Sequence, residues 1–420
     1  MFKNNLNDFY NNSIVMLLLI FSAFPILPRV AESIILMVVL FFSIVFFIFQ
    51  DKNKRTASKT KTFFGVTIFF WVYLFTLFYT DNIGYGLSNI KIMLPIVVLP
   101  IIFLINKEVL LLNKHIDKFI LIYVLSILFY LFYLNIFIYK TLFIRDLDIV
   151  VVRDIFEKAT KVHGTYFSMW IGFAVILLLF KIQEHKLNII FVLIAFLTIL
   201  FFIYWQSIIA ARMPLAVTLL FIILFLLKKN TKLLILLLAT IASTFFIMPK
   251  NMVFVERFEK IKNYDFTFPK GKYETNWQNI SNEQIRNGIY YCTYQKIKEA
   301  PIFGHGVGDA DTELQKCYDI EFTDTNTYKL LKYNSHNQYL DFILVSGLIG
   351  LIIILFFQFK IIKIALKNKN TIYLYFIIYF ILNITFENVL NRHDGVMFFS
   401  FFNTILFFQI YNKNEESINS

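Results

Sequence analysis

The stretch KYNSHNQYLDFILVSGLIGLIIIL (332–355) sets an imidazole, His336, at the mouth of a long apolar run. The chain has only six histidines, so a histidine at this place is informative. An imidazole titrating at about 6.5 can accept a proton from a hydroxyl at neutral pH. Two arginines offer complementary chemistry, because planar guanidinium forks grip phosphate oxygens in pairs. Arg212 stands in YWQSIIAARMPLAV between apolar runs, and Arg286 stands in SNEQIRNGIYYCTY with Tyr290 one turn on. Plainer explanations exist for each. His336 could face headgroups behind a Ser335 cap, Arg212 could snorkel, and Arg286 could be a solvated loop charge. Against the first, a helix continuing from His336 places it on one stripe with Leu340, Ile343, Gly347 and Gly350. Glycines on that stripe let a second helix approach, so the imidazole is expected to face the bundle. An ionisable group in that position is a functional candidate by default.

Two further polar stretches open apolar runs. HGTYFSMW (163–170) contributes His163 and Tyr166, and FENVLNRHDGVMFFSFFNTIL (386–406) contributes Glu387, Arg392 and Asp394. The last three could simply pair with one another. APIFGHGVGDAD (300–311) spaces Gly304, Gly306 and Gly308 like a phosphate cradle, but a dinucleotide fingerprint needs a strand before it and a βαβ unit around it. Neither is present, and a tight turn returning the chain to the membrane fits better.

These residues must be positioned by membrane helices. The chain is 58% hydrophobic, with 52 Phe and 23 Tyr, against about 45–50% apolar residues in soluble domains. The excess falls in about twelve blocks of the length that crosses a bilayer. An all-α polytopic membrane protein follows, with expected spans at 13–28, 30–50, 63–80, 92–106, 118–138, 164–181, 187–204, 208–227, 233–248, 336–359, 371–386 and 395–411. No repeat and no low-complexity tract interrupts them, and nothing resembling a broken helix is visible.

Lys and Arg gather in 50–61, 106–118, 181–186, 228–232 and 360–370, whereas TDNIGYGLSN (80–89) and YWQSIIA (204–210) are almost free of them. The positive-inside bias therefore puts the basic connections and both termini in the cytoplasm, with 412–420 as a tail. Two long segments lie outside, 139–163 and 249–335. The second divides helices in 1–248 from those in 336–411, and a loop this long is usually functional. It is expected to hold short helices, one over 281–301 capped by Ser281.

The net charge of +12 is distributed in those short connections, with no basic stripe interleaved with aromatics, so nucleic acid is not an expected partner. Cys292 and Cys317, the only cysteines, both fall in the long outer segment. An oxidising compartment permits a disulfide there, and spacing alone does not distinguish it from two buried thiols. No His, Cys or acidic cluster has metal-ligand spacing, so neither a metal nor a cofactor is expected.

Taken in order, these stretches resemble the O-antigen ligase and Wzy-type polymerase superfamily of bacterial envelope glycosyltransferases. The carrying motifs are Arg212 behind a span, Arg286 followed by APIFGHGVG, and SHNQYLDFILVSGLIGL after the long loop; HGTYF and FENVLNRHDGVMFF look like flanking motifs of a Bacteroidetes-type branch. One departure is Ala211-Arg212, where a Ser-Arg pair is often found. The resemblance implies metal-independent transfer of a glycan from undecaprenyl pyrophosphate, on the periplasmic face of the inner membrane. The acceptor would be a hydroxyl on lipid A-core, on another lipid-linked glycan, or on protein. It gives His336 the role of base and Arg212 and Arg286 the pyrophosphate, with Asn337, His163, Tyr166, Glu387 and Arg392 as supporting residues. A ligase is favoured, with a polymerase or protein O-oligosaccharyltransferase next. A lipid-linked oligosaccharide flippase is the alternative from another class.

Overall fold

The structure, a computed structural model, describes residues 2–49, 60–143, 149–184, 188–229, 282–322, 328 and 331–419. Among them the chain is helical. In order the helices are α1 (Phe2–Phe21), α2 (Arg29–Phe49), α3 (Thr60–Val66), α4 (Ile68–Thr76), α5 (Ile83–Met93), α6 (Pro95–Ile105), α7 (Lys107–Leu110), α8 (Asn113–Phe143), α9 (Ile149–Thr160), α10 (Gly164–Glu184), α11 (Ile189–Ile209), α12 (Arg212–Lys229), α13 (Asn282–Glu299), α14 (Ala310–Glu321), α15 (Gln338–Lys367), α16 (Thr371–Ile384) and α17 (His393–Asn419). A 3₁₀ turn, Val389–Asn391, links the last two.

Six segments among the described residues are long and apolar enough to cross a membrane: Arg29–Phe49, Ile83–Ile105, Asn113–Phe137, Gly164–Gln183, Ile189–Ile209 and Gln338–Lys367. This is a multi-pass helical membrane protein. The expected span at 233–248 lies outside the described residues, as do Ser281 and the rest of 249–281 in the long segment. Burial ranks the helices by position: the α10 window is 72% buried, against 22% for α2 and α11. Helix α10 is therefore central, and the other two present their apolar surface outward. The core beside α10 is aromatic, with Phe173 packed on Phe402 at 4.7 Å between centroids and Tyr123 edge-on to Phe402 at 4.7 Å.

Several boundaries differ from the sequence expectation. TDNIGYG is not a plain connection, because Asn82 caps α5 by accepting from the Tyr85 amide (3.1 Å) and the helix starts at Ile83. YWQSIIA is the last turn of α11, which ends where Ala210 turns left-handed (φ 55°). The segment 139–163 contains α9. At the end of the bundle away from His336, the α8 start, the α10 end and the α15–α16 turn line a cavity of ≈ 530 Å³ with Asn113, Lys181, Lys369 and Gln409. Three of the basic connections thus share one end.

The largest correction concerns α15. It is broken at Gly347 (φ 63°, ψ −169°), a conformation open only to glycine. The glycine turn of 300–311 fits into that break. His305 and Gly306 amides donate to the Leu344 and Val345 carbonyls (2.7 and 2.9 Å), and the Leu348 amide donates to the Pro301 carbonyl (2.9 Å). A Cβ on Gly347 would lie 2.1 Å from the Ile302 carbonyl oxygen. So Gly347 serves a backbone-to-backbone contact, whereas Gly350 faces Val72 of α4.

Candidate active site at the mouth of α15

A helix starting at His336 was expected, and in the plainer reading Ser335 would cap it. Instead Asn337 is the cap, its Oδ1 accepting from the Tyr339 and Leu340 amides at 2.9 and 3.2 Å. His336 lies outside the helix in the left-handed region (φ 47°), so the expected stripe running down from it does not form. A non-glycine residue held there stores on the order of 1–3 kcal/mol of strain, and such outliers gather at functional sites. The Asn334 side chain supports the turn by accepting from the His336 amide (3.2 Å).

This turn aims the imidazole at Glu387, in the α16–α17 connection. Nδ1 is buried without a hydrogen-bond partner and lies 3.6 Å from Glu387 Oε1. The side chains are 24% and 12% exposed, so the pair borders solvent without lying open to it. Burial alone would push the Glu387 carboxyl up, but His336, then His163 and Arg286, more than offset it and hold it below its ordinary value. That electrostatic reach is also positional: three residues from three separate stretches of sequence lie within range of one carboxylate.

His163 precedes α10 and is tied to α9. The Arg153 guanidinium reaches His163 Nε2 (3.2 Å), Thr165 Oγ1 (3.2 Å) and Glu157 Oε1 (2.8 Å), and Glu157 accepts the Gly164 amide (2.8 Å). Burial and then the Arg153 charge hold this imidazole below its usual value, against the pull of Glu157 and Glu387. Tyr166 donates to the Asn388 carbonyl (3.2 Å), which fixes the Glu387 segment over α10. Arg392 is exposed and within electrostatic range of His163, Tyr166 and Asp311.

Beneath this group lies a network the sequence reading missed. Asp341, 2% exposed, accepts from Tyr73, Gln338 (3.1 Å), Asn388 (3.0 Å) and Asn391 (3.0 Å). Asn388 also donates to Ser335 (3.1 Å), and Gln338 accepts the Leu390 amide (2.8 Å). The α16–α17 connection is thereby bolted to the residues on both sides of His336. A carboxylate four residues into an apolar span was itself a signal.

Glu387 and Asp394 each find another partner and do not form the mutual pairing with Arg392 that the sequence left open. Asp394 takes both its oxygens to Arg29 (2.9 and 2.8 Å), which also donates to the Lys161 carbonyl (2.9 Å). Next to it, His393 meets Glu32 at 3.0 Å. Arg212 is the exposed first residue of α12. Ile209 packs over Gly164 so closely that a Cβ there would sit 2.9 Å away, so the α11–α12 turn lies beside His163. Arg286 is exposed on α13, and Cys292 of that helix is bonded to Cys317 of α14, Cα atoms 5.6 Å apart. Among the described residues no three His, Cys, Asp or Glu side chains are grouped to hold a metal ion.

One imidazole, one ionised carboxylate and several guanidinium groups facing partly open space can take a proton from a nucleophile and bind an anion beside it. No curated protein matches the chain. Residues 207–355 match the O-antigen ligase family model, a stretch that holds Arg212, Arg286 and His336 but not His163 or Glu387. That match covers the residues that build half of this site and supports membership of the O-antigen ligase and Wzy-polymerase superfamily.

Proposed function

We propose that the protein is an O-antigen ligase-type glycosyltransferase that moves a glycan from undecaprenyl pyrophosphate to an acceptor hydroxyl, favoured as lipid A-core, at the periplasmic face of the inner membrane. The observation that carries this reading is the His336 imidazole set 3.6 Å from the buried Glu387 carboxylate, with His163 and Arg286 within electrostatic range of the same carboxylate. Glu387 sits behind Nδ1 and stabilises the imidazolium that forms, leaving Nε2 for the acceptor. The acceptor oxygen bonds to the anomeric carbon as the bond from that carbon to the pyrophosphate oxygen breaks. The hydroxyl proton passes to His336, and undecaprenyl pyrophosphate departs as the anion. Arg286 and Arg212 hold that anion through bidentate contacts, with His163 and Arg392 at the same mouth. The periplasmic placement rests on the Lys/Arg bias.

A flippase would draw support from the broken α15, since transporters often use interrupted helices around a central cavity. Here the break is filled by the backbone of 301–306, which favours a structural role for it. The test is purified protein in EDTA with an undecaprenyl-pyrophosphate glycan and two acceptors. Glycan on lipid A-core supports the ligase, and elongation of the lipid-linked glycan assigns polymerase activity instead. Absence of transfer to either acceptor contradicts the proposal.

A further inference from the structure

The turn Pro301-Ile302-Phe303 carries its apolar side chains outward, Ile302 55% and Phe303 62% exposed. It lies against Gly347 of α15, nine residues from Gln338, or about 14 Å along the helix axis. Its neighbours on either side are also exposed and apolar: Leu348 and Ile349 on α15, and Phe75 and Phe78 at the end of α4. Beyond them α15 continues with Ile352 and Phe356 on the same exposed surface, within a segment built to cross the bilayer.

The depth can be fixed from the other side of the bundle. Gln338 is level with Asn391, to which it bonds (3.1 Å), and Asp394 nearby holds Arg29. Val30, next to Arg29, is 69% exposed and begins the outward apolar face of α2. Lipid-compatible surface therefore reaches the level of Gln338, and the turn lies about two and a half helical turns further along.

Irregular backbone is excluded from hydrocarbon unless its polar groups are satisfied by protein. This turn meets that condition at its carbonyls and at the amides of the glycine stretch that follows. The Pro301 and Ile302 carbonyls accept from the Leu348 and Ile349 amides (2.9 and 3.4 Å), and the Phe303 carbonyl accepts from Tyr79 (2.6 Å). Proline brings no amide of its own. The Gly304, His305, Gly306, Val307 and Gly308 amides all have partners within 3.1 Å. The break in α15 and the glycine turn satisfy each other.

We propose that Ile302 and Phe303 are inserted into the acyl chains of the bilayer, as a re-entrant turn that continues the lipid-facing surface of α15 and α4. The occupant of this patch is lipid hydrocarbon. Since α13 runs from Arg286 to this turn, insertion holds the helix at a fixed height relative to the membrane.

The test uses the full chain in nanodiscs. Cys292 and Cys317 are bonded to each other, so a single added thiol at Phe303→Cys can be labelled with an environment-sensitive fluorophore. Ile302→Cys is the second probe should the first fold poorly, and Ile320→Cys, on the exposed side of α14, is the control. Insertion gives a blue-shifted label at 302 or 303 that loses fluorescence to doxyl-labelled acyl chains and resists iodide, with the reverse at 320. Doxyl quenching at 302 or 303 no greater than at 320 overturns the proposal, whether water, another segment of the chain or a second copy covers the turn.

Discussion

Two polar groups meet at the mouth of α15 and are built in opposite ways. Around Asp341 the carboxylate is buried and all its contacts are hydrogen bonds of ordinary length or shorter, to Tyr73, Gln338, Asn388 and Asn391. One turn away, His336 is left-handed, its buried Nδ1 has no hydrogen-bond partner, and its carboxylate neighbour stands at 3.6 Å. A satisfied buried network rigidifies. A strained side chain whose buried nitrogen faces a carboxylate is, in the proposed reading, left with Nε2 for a substrate. The first group is the frame, and the second is the tool it holds.

The contrast can be broken by substitution. His336→Ala should lower glycan transfer by about 10²–10⁴-fold, the range for loss of a general base, with thermal unfolding unchanged. Arg286→Ala and Arg212→Lys should each cost about 10–100-fold, the worth of one or two charge-assisted hydrogen bonds. Lysine keeps the charge at 212 but cannot make the fork, and transfer assays on folded protein would read both. Asp341→Leu should do the opposite of His336→Ala. It strips partners from Tyr73, Gln338, Asn388 and Asn391, at on the order of 1–3 kcal/mol for each buried group left unpaired. The melting temperature falls first, and Asp341→Asn recovers much of it. A His336→Ala protein that melts early, or an Asp341→Leu protein that does not, would erase the distinction.

The smallest effect is one of pH. Glu387 is held below its ordinary value of 4.5. A carboxyl with a depressed native pKa adds stability that is complete above its unfolded value and fades as pH falls through the native one. The difference in melting temperature between wild type and Glu387→Gln should therefore be flat from neutral pH down to about 4.5 and shrink below it.

Much of this was legible from residue types. Blocks of apolar residues marked α2, α8, α10 and α11, and His336, Glu387, His163 and Arg286 could be picked out before any of them could be placed together. What failed was local. Ser335 and Asn337 are both good caps, and only the geometry of the turn decides for Asn337 and pushes His336 out of the helix. Ala210 ends α11 left-handed without the glycine that usually signals it. Gly347 was read for helix packing, because nothing local says that residues 301–306 will lie against it. Asp341 was passed over inside an apolar run, its partners standing 268 and 50 residues away at Tyr73 and Asn391.

The division between frame and tool is tested most directly by chemical rescue. Purified His336→Ala protein would be assayed for transfer from undecaprenyl-pyrophosphate glycan with imidazole added across a range of pH. The cavity left by the side chain borders solvent, since His336 is 24% exposed. Transfer should return in part, saturate with imidazole, and follow the free-base form rather than the total concentration. A rate that imidazole leaves unchanged at every pH, in a variant shown to be folded, would contradict His336 as the base.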